Sequence, residues 1–169
     1  MRDSGVLTVA LLLVLGQAAD AATPGHRRLG LWTMRVEELG SSAAPLTSKF
    51  CVDRATEAAL IKLASDLDPK ACPVVRTHPT ANGSSADIVC RQGSSIVTSH
   101  IVLQVGEATF SSRSDIRTSG PLGRTSKQTI LTAARWVGRC PSGMKPGDIV
   151  TSSGARLKLG PKGPGRGED

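Results

Sequence analysis

Apolar and polar residues alternate along much of the chain, which is the pattern of β-strands that bury one face. From residue 29 to residue 38, Trp32, Met34 and Val36 fall on the same face. This pattern predicts a first strand with Trp32 as its core anchor. A second short strand is predicted over residues 47–51.

One segment follows a helical period instead. Between residues 53 and 67, apolar residues recur every three or four positions, which predicts a single amphipathic helix. Asp53 is a favourable N-cap, and Glu57 lies in the first turn, where the helix dipole favours a negative charge. Asp68-Pro69 ends the pattern, because a residue before proline avoids helical geometry. We expect the helix to pack its leucines on a sheet.

Cys72 and Cys90 enclose two β-prone runs separated by a turn-rich centre. Asn82-Gly83 lies beside the midpoint between the two cysteines. Asn-Gly between two strands favours a hairpin, because both residues tolerate positive φ. A hairpin folded at this point would bring Cys72 and Cys90 opposite each other.

Three more strands are predicted over residues 95–105, 108–117 and 126–137. The first is apolar on both faces, so we expect it to be more buried than its neighbours. The second carries serines between Phe110 and Ile116 on its inner face, which suggests a loosely filled interior. The short turns favour a mainly β fold with one short helix, an antiparallel meander curled into a half-barrel or a barrel.

The chain begins with the pattern of a secretory signal. Met1-Arg2 precedes an apolar run from Val6 to Leu15, and small residues follow, so we expect cleavage near Ala21. The alternative is an uncleaved amphipathic N-terminus. The run is shorter than the about 20 residues that a membrane span needs. We therefore expect a periplasmic or secreted protein without a transmembrane segment.

The domain organisation follows from composition. After a signal at residues 1–21, residues 22–141 are predicted to form one β domain. Residues 142–169 are rich in Gly, Pro, Ser and basic residues, with few apolar side chains to bury. This composition predicts a disordered basic tail.

The chain contains four cysteines, Cys51, Cys72, Cys90 and Cys140. An even number in an oxidising compartment favours two disulfides, for which three pairings exist. The predicted hairpin selects Cys72–Cys90 and leaves Cys51–Cys140. The alternative is a metal site, but Cys-x-x-Cys and His-x-x-x-His spacings are absent, so we expect no metal and no cofactor.

Charge restricts the choice of partner. The formal net charge is +7, and loss of residues 1–21 removes one positive and two negative charges, which gives +8. Surfaces that bind single-stranded nucleic acid interleave cations with aromatic rings, whereas this chain has two Trp, two Phe and no Tyr. The composition favours a solvated basic surface and no specific nucleic-acid partner.

The order of several short motifs resembles a family of exported bacterial proteins known as domain of unknown function 3617. The matching motifs are Gly30-Leu31-Trp32, Phe50-Cys51-Val52-Asp53, the cysteine pair around the hairpin, the stretch from Gly106 to Phe110, and Gly138-Arg139-Cys140. The resemblance covers about Leu29 to Cys140. It implies an exported compartment and a disulfide-containing β fold, and it implies no activity.

These observations predict a non-enzymatic exported domain that binds a small apolar ligand or a partner in the cell envelope. One alternative is a hydrolase that uses His78 or His100, with Asp87 as a neighbour of His78 across the hairpin. No Gly-x-Ser-x-Gly motif supports a serine nucleophile. The other alternative is a binder of polyanions or of the envelope surface through the basic tail.

Overall fold

The computed structural model of the chain describes residues 27–65, 67–160 and 163–166. The described elements are ten strands, one α-helix and a short 3-10 helix at Pro121–Gly123. Their bounds are β1 (Gly30–Glu38), β2 (Leu46–Val52), α1 (Arg54–Ser65), β3 (Val74–Thr80), β4 (Gly83–Gln92), β5 (Ser95–Val105), β6 (Thr109–Ser119), β7 (Thr125–Gly138), β8 (Asp148–Thr151), β9 (Arg156–Gly160) and β10 (Gly163–Arg166).

All ten strands belong to one antiparallel sheet, in the order β10-β9-β8-β2-β1-β7-β6-β5-β4-β3. Strands β3 to β7 form a meander, and the β1–β2 hairpin adds to the outer side of β7. The predicted fold class is confirmed as mainly antiparallel β with one helix and two disulfides. In the described part of the chain the sheet is open, with β3 and β10 at its edges, so the closed barrel is excluded.

The C-terminal segment differs from its predicted disorder. Residues 148–160 form β8 and β9, and β8 pairs with β2 through Ser48, Lys49 and Phe50. Ile149 packs against the core, which a tail without apolar contacts could not do. The predicted domain end near residue 141 is therefore too early, because a few apolar residues suffice when an existing strand edge supplies the hydrogen bonds.

The β3–β4 hairpin forms with a different turn from the predicted one. Thr80 pairs with Gly83, so the connecting loop is Ala81-Asn82. Neither Asn82 nor Gly83 has positive φ. Gly83 has another role, because a Cβ at this position would collide with the carbonyl of Leu103 in β5. The glycine permits the close approach of β5.

Strand β1 contains the Gly-Leu-Trp motif, and its first residue has a clear structural reason. Gly30 has a φ of 130°, and a Cβ here would overlap the carbonyl oxygen of Gly138 in β7. The register of the β1–β7 pairing shifts between the next two residues, Leu31 and Trp32. The glycine therefore allows β1 and β7 to meet at the point where Trp32 enters the core.

The core is small and lies around Trp32. Its side chain is fully buried, as predicted, and its ring contacts those of Phe50 and Phe110 at centroid separations of 6.4 Å. The indole N–H donates a hydrogen bond of 2.9 Å to the carbonyl of Arg28. Val52 and Ala134 complete the buried cluster.

Strand β5 is less buried than its apolar sequence predicted. Its apolar side chains are half-buried at most, and Ile96 is 48% exposed. The prediction that β5 is more buried than its neighbours is wrong, since β4, β5 and β6 all lack a buried side chain. Strands β3 to β6 contact mainly their neighbours within the sheet. A strand that is apolar on both faces requires a covering layer on each side, and the described residues supply neither.

The helix begins where the sequence predicted. Asp53 accepts hydrogen bonds from the backbone N–H of Thr56 and, through its carbonyl, from that of Glu57. Hydrogen bonds from Thr56 lower the pKa of the Asp53 carboxyl. Of the predicted apolar stripe, Leu63 and Ala64 lie outside the described side chains. The helix contacts β2.

Disulfides join Cys51 to Cys140 and Cys72 to Cys90, which is the pairing that the hairpin favoured. They indicate an oxidising, exported environment. The predicted signal at residues 1–21 lies outside the described residues. Among the described helices, none has the length and apolar character to cross a membrane.

Candidate functional site: a basic groove on one face of the sheet

The strand registers separate charged from uncharged side chains. We call the side of the sheet that carries Arg35, Lys49, Arg113 and Asp115 the charged face, since antiparallel partners share a face and neighbours along a strand alternate. Trp32 of β1 lies on the opposite side of the sheet. Within strands β3 to β7, we call this opposite side the uncharged face. Every Asp, Glu, His, Lys and Arg in those strands lies on the charged face.

A groove of about 820 Å³ crosses the charged face over β8, β2, β1 and β7. This volume is within the range of ligand sites in proteins. We call it the basic groove. The side chains that point into it from the charged face are Thr33, Arg35, Thr47, Lys49, Thr109, Ala133, Arg135, Val150 and Ser152.

The centre of the basic groove is a row of three residues on adjacent strands. Thr33 pairs with Lys49 of β2 on one side and with Arg135 of β7 on the other. The two cations are therefore separated by two strand spacings, about 10 Å. The groove is lined by these long basic side chains and by small residues such as Thr33 and Ala133.

Lys49 and Arg135 make no ion pair with an acid in the described part of the chain. Arg35, in contrast, forms an ion pair of 2.7 Å with Glu37 on its own strand. Val150 and Ala133 add apolar surface beside the cations. The basic groove thus presents two uncompensated positive charges, several hydroxyl groups and a small apolar floor.

A second polar row crosses β4 to β7 in a smaller groove of about 350 Å³. Asp87, His100, Asp115 and Thr129 occupy consecutive positions across these strands. Nδ1 of His100 lies 2.7 Å from Oδ1 of Asp87, and this hydrogen bond lowers the pKa of Asp87. The Arg113 guanidinium and the Thr129 hydroxyl lower the pKa of Asp115 to about 2.

Asp87 lies diagonally across the hairpin from His78, as predicted, but its hydrogen-bond partner is His100. Asp87 is paired with Arg76 across the β3–β4 hairpin and hydrogen-bonds to His100, whereas His78 is paired with Ser85. Across the described residues, no serine, threonine or cysteine hydroxyl or thiol hydrogen-bonds to the His100 ring. The arrangement provides an acid and a base but no positioned nucleophile.

The described residues contain no cluster of three or more His, Cys, Asp or Glu side chains that could hold a metal ion. Among the described cations of the predicted basic tail, Arg156 and Lys158 make local contacts. Lys158 forms an ion pair of 2.9 Å with Asp148, and Arg156 donates a hydrogen bond to the carbonyl of Gly143.

Sequence reasoning missed Lys49 and Arg135 as a pair. They are separated by more than eighty positions in the chain, and only the placement of β1 between β2 and β7 brings them to one row. The available signal was the alternation within each strand, in which every second residue faces away from the core. Thr33, Lys49 and Arg135 all lie at positions that face away from Trp32.

Comparison with known protein families finds a match over residues 27–140 to the family described as Protein of unknown function (DUF3617). No curated protein and no solved structure matches the chain.

Proposed function

The chain belongs to the DUF3617 family, and we propose that it is a non-enzymatic exported domain that binds a small amphipathic anion in the basic groove. The observation that carries this proposal is the pair of cations, Lys49 and Arg135, on either side of Thr33, for which the described residues supply no acidic partner. Export through a signal at residues 1–21 to the periplasm is part of the same proposal, and the two disulfides support it.

The chemistry of the groove selects the ligand class. A carboxylate or phosphate between Lys49 and Arg135 would receive charge-assisted hydrogen bonds, which are stronger than those between neutral groups. Thr33 adds a hydroxyl donor at the same level. Ala133, Val150 and the aliphatic stems of the basic side chains would contact an apolar part of the ligand. A purely apolar ligand, the original expectation, would leave both cations unpaired.

The test is binding of a fluorescent fatty acid, compared with the fluorescent fatty alcohol of equal chain length. We expect the acid to bind more tightly, and Lys49→Gln combined with Arg135→Gln to weaken its binding by about tenfold or more, because two charge-assisted hydrogen bonds are lost. Binding of the alcohol should change little.

The matched control is Arg117→Gln combined with Lys127→Gln. These two cations face each other across adjacent strands of the charged face, one strand spacing closer than Lys49 and Arg135, and they lie outside the basic groove. The control removes the same net charge, so it separates a local site from general electrostatic attraction. Equal losses in both double variants, or equal affinity for acid and alcohol, would refute the proposal.

The hydrolase remains a second candidate because of one contact, the hydrogen bond between His100 and Asp87. His100→Gln would remove the base while the basic groove remains intact. Loss of an esterase activity in this variant, with fatty-acid binding retained, would favour the hydrolase.

A further inference from the structure

The uncharged face of strands β3 to β7 is a continuous surface without a charged side chain in the described residues. Large apolar residues are distributed across it, and hydroxyl and other small side chains fill the space between them. Apart from Phe110 and Trp136, which pack against the Trp32 core, the large residues are Ile88, Ile101, Leu103, Ile116 and Ile130. All five are half-buried rather than buried, although they belong to the sheet's apolar side.

At the Trp32 end, the guanidinium groups of Arg27 and Arg28 lie over the rings of Phe110 and Trp136. Cys72 reaches the surface through its disulfide with Cys90. The rest of the surface has no second layer within the described chain. The helix α1 contacts β2, which lies beyond β1 and β7 in the sheet. The buried core around Trp32 is also at that end. Apolar side chains on a sheet face ordinarily pack against another layer, so this part of the fold is a layer that lacks its partner.

We propose that a second copy of the chain supplies this layer, with the uncharged faces of the two sheets packed against each other across a two-fold axis. In a two-fold contact each surface meets its own copy. A charged surface would bring like charges together, whereas an uncharged one does not. Complete segregation of charge to the opposite face, even at the exposed end of the sheet, fits this requirement.

The area is sufficient for a specific dimer. Five strands about 4.8 Å apart, with about nine residues each at about 3.4 Å per residue, present about 700 Å². Two copies would bury about 1,400 Å² in total, which is the size of a standard specific interface. Small side chains lie between the larger residues, namely Ser112, Ser114 and Ala86. They keep the layer of side chains thin enough for two sheets to pack about 10 Å apart.

The test is sedimentation of the mature, oxidised protein over a range of concentrations. We expect a dimer at tens of micromolar, and we expect Ile101→Glu to weaken dimerisation by about 100-fold or more because it places like charges in the interface. The matched control is Val102→Glu, the next residue on β5. Val102 is also half-buried, but it lies on the charged face, so this variant should remain dimeric.

A second pair of variants avoids any loss of apolar packing. Ser114→Lys places a charge at the centre of the uncharged face, whereas Ser111→Lys places one on the opposite face of the same strand. Both serines are half-buried. We expect only Ser114→Lys to dissociate the dimer, with far-ultraviolet circular dichroism unchanged in both variants.

Two results would overturn the proposal. One is a wild-type protein that sediments as a monomer at about 100 μM, which would leave the surface to a lipid or to another protein. The other is a dimer that survives both Ile101→Glu and Ser114→Lys, because such a dimer must use an edge strand or the charged face. Neither result bears on fatty-acid binding in the basic groove, so the two proposals fail separately.

Discussion

The two ends of the sheet are stabilised in different ways. Around Trp32, the strands β1, β2 and β7 enclose the buried cluster, and the Cys51–Cys140 disulfide joins β2 to the segment after β7. In the meander from β3 to β6, the strands contain no buried side chain. Its order depends on ladder hydrogen bonds, on the Cys72–Cys90 disulfide and on polar rows such as the one through Asp115.

This difference indicates a division of tasks. The Trp32 end contains the apolar contacts that give a small domain its stability. The meander extends the sheet outward and leaves both of its faces exposed, one charged and one uncharged. The proposed dimer uses the uncharged face of β3 to β7. The basic groove lies on the charged face at the Trp32 end, so both proposals concern side chains outside the buried cluster.

The largest expected effect is loss of the long disulfide. The cysteines Cys51 and Cys140 are separated by 89 positions, and Cys72 and Cys90 by 18. From loop-closure entropy, the long disulfide contributes about 4.5 kcal/mol to the free energy of unfolding and the short one about 3 kcal/mol. We expect the variant with Cys51→Ser and Cys140→Ser to lose more thermal stability than the variant with Cys72→Ser and Cys90→Ser. Calorimetry of both would test this, and the opposite order would show that the meander is the more cooperative region.

The next effect concerns the core itself. Trp32→Ala removes the largest fully buried side chain, and we expect a loss of about 4 kcal/mol in unfolding free energy. Leu103→Ala is the comparison in the meander, where the side chain is only half-buried, and we expect it to cost clearly less. Urea denaturation measures both. The comparison is made at concentrations where the protein is monomeric, because a dimer would cover Leu103. Equal losses in the monomer would contradict the difference between the two ends of the sheet.

Much of this architecture could be predicted from the sequence, because it depends on local patterns. Alternation located β1 and β6, and the N-cap residue Asp53 located the start of the helix. The placement of β1 beside β7 and the pairing of β8 with β2 could not be predicted, because strand neighbours far apart in sequence leave no local signal. The basic groove depends on those pairings, so it could not be predicted either.

The smallest expected effect lies in the polar row of the meander. The Arg113 guanidinium, together with the Thr129 hydroxyl, lowers the pKa of Asp115 from 3.8 to about 2. A carboxyl whose pKa is lowered in the folded state stabilises the protein above its unfolded pKa, and this contribution is lost as the pH falls through the folded pKa. We therefore expect Asp115→Asn to reduce the melting temperature near neutral pH, and the difference from wild type to shrink between pH 3.8 and about 2.

The size of that effect is limited by exposure, since the Arg113 and Asp115 side chains are 53% and 42% exposed. Water and salt screen such a pair, so the difference in melting temperature should also shrink as salt is added. Arg113→Gln provides the second arm, because it leaves the Thr129 hydrogen bond in place. We expect the pKa of Asp115, followed by carbon NMR of its carboxyl group, to rise in that variant towards 3.8. An unchanged pKa would assign the shift to Thr129, and the stability of the meander would then depend on hydrogen bonds more than on charge.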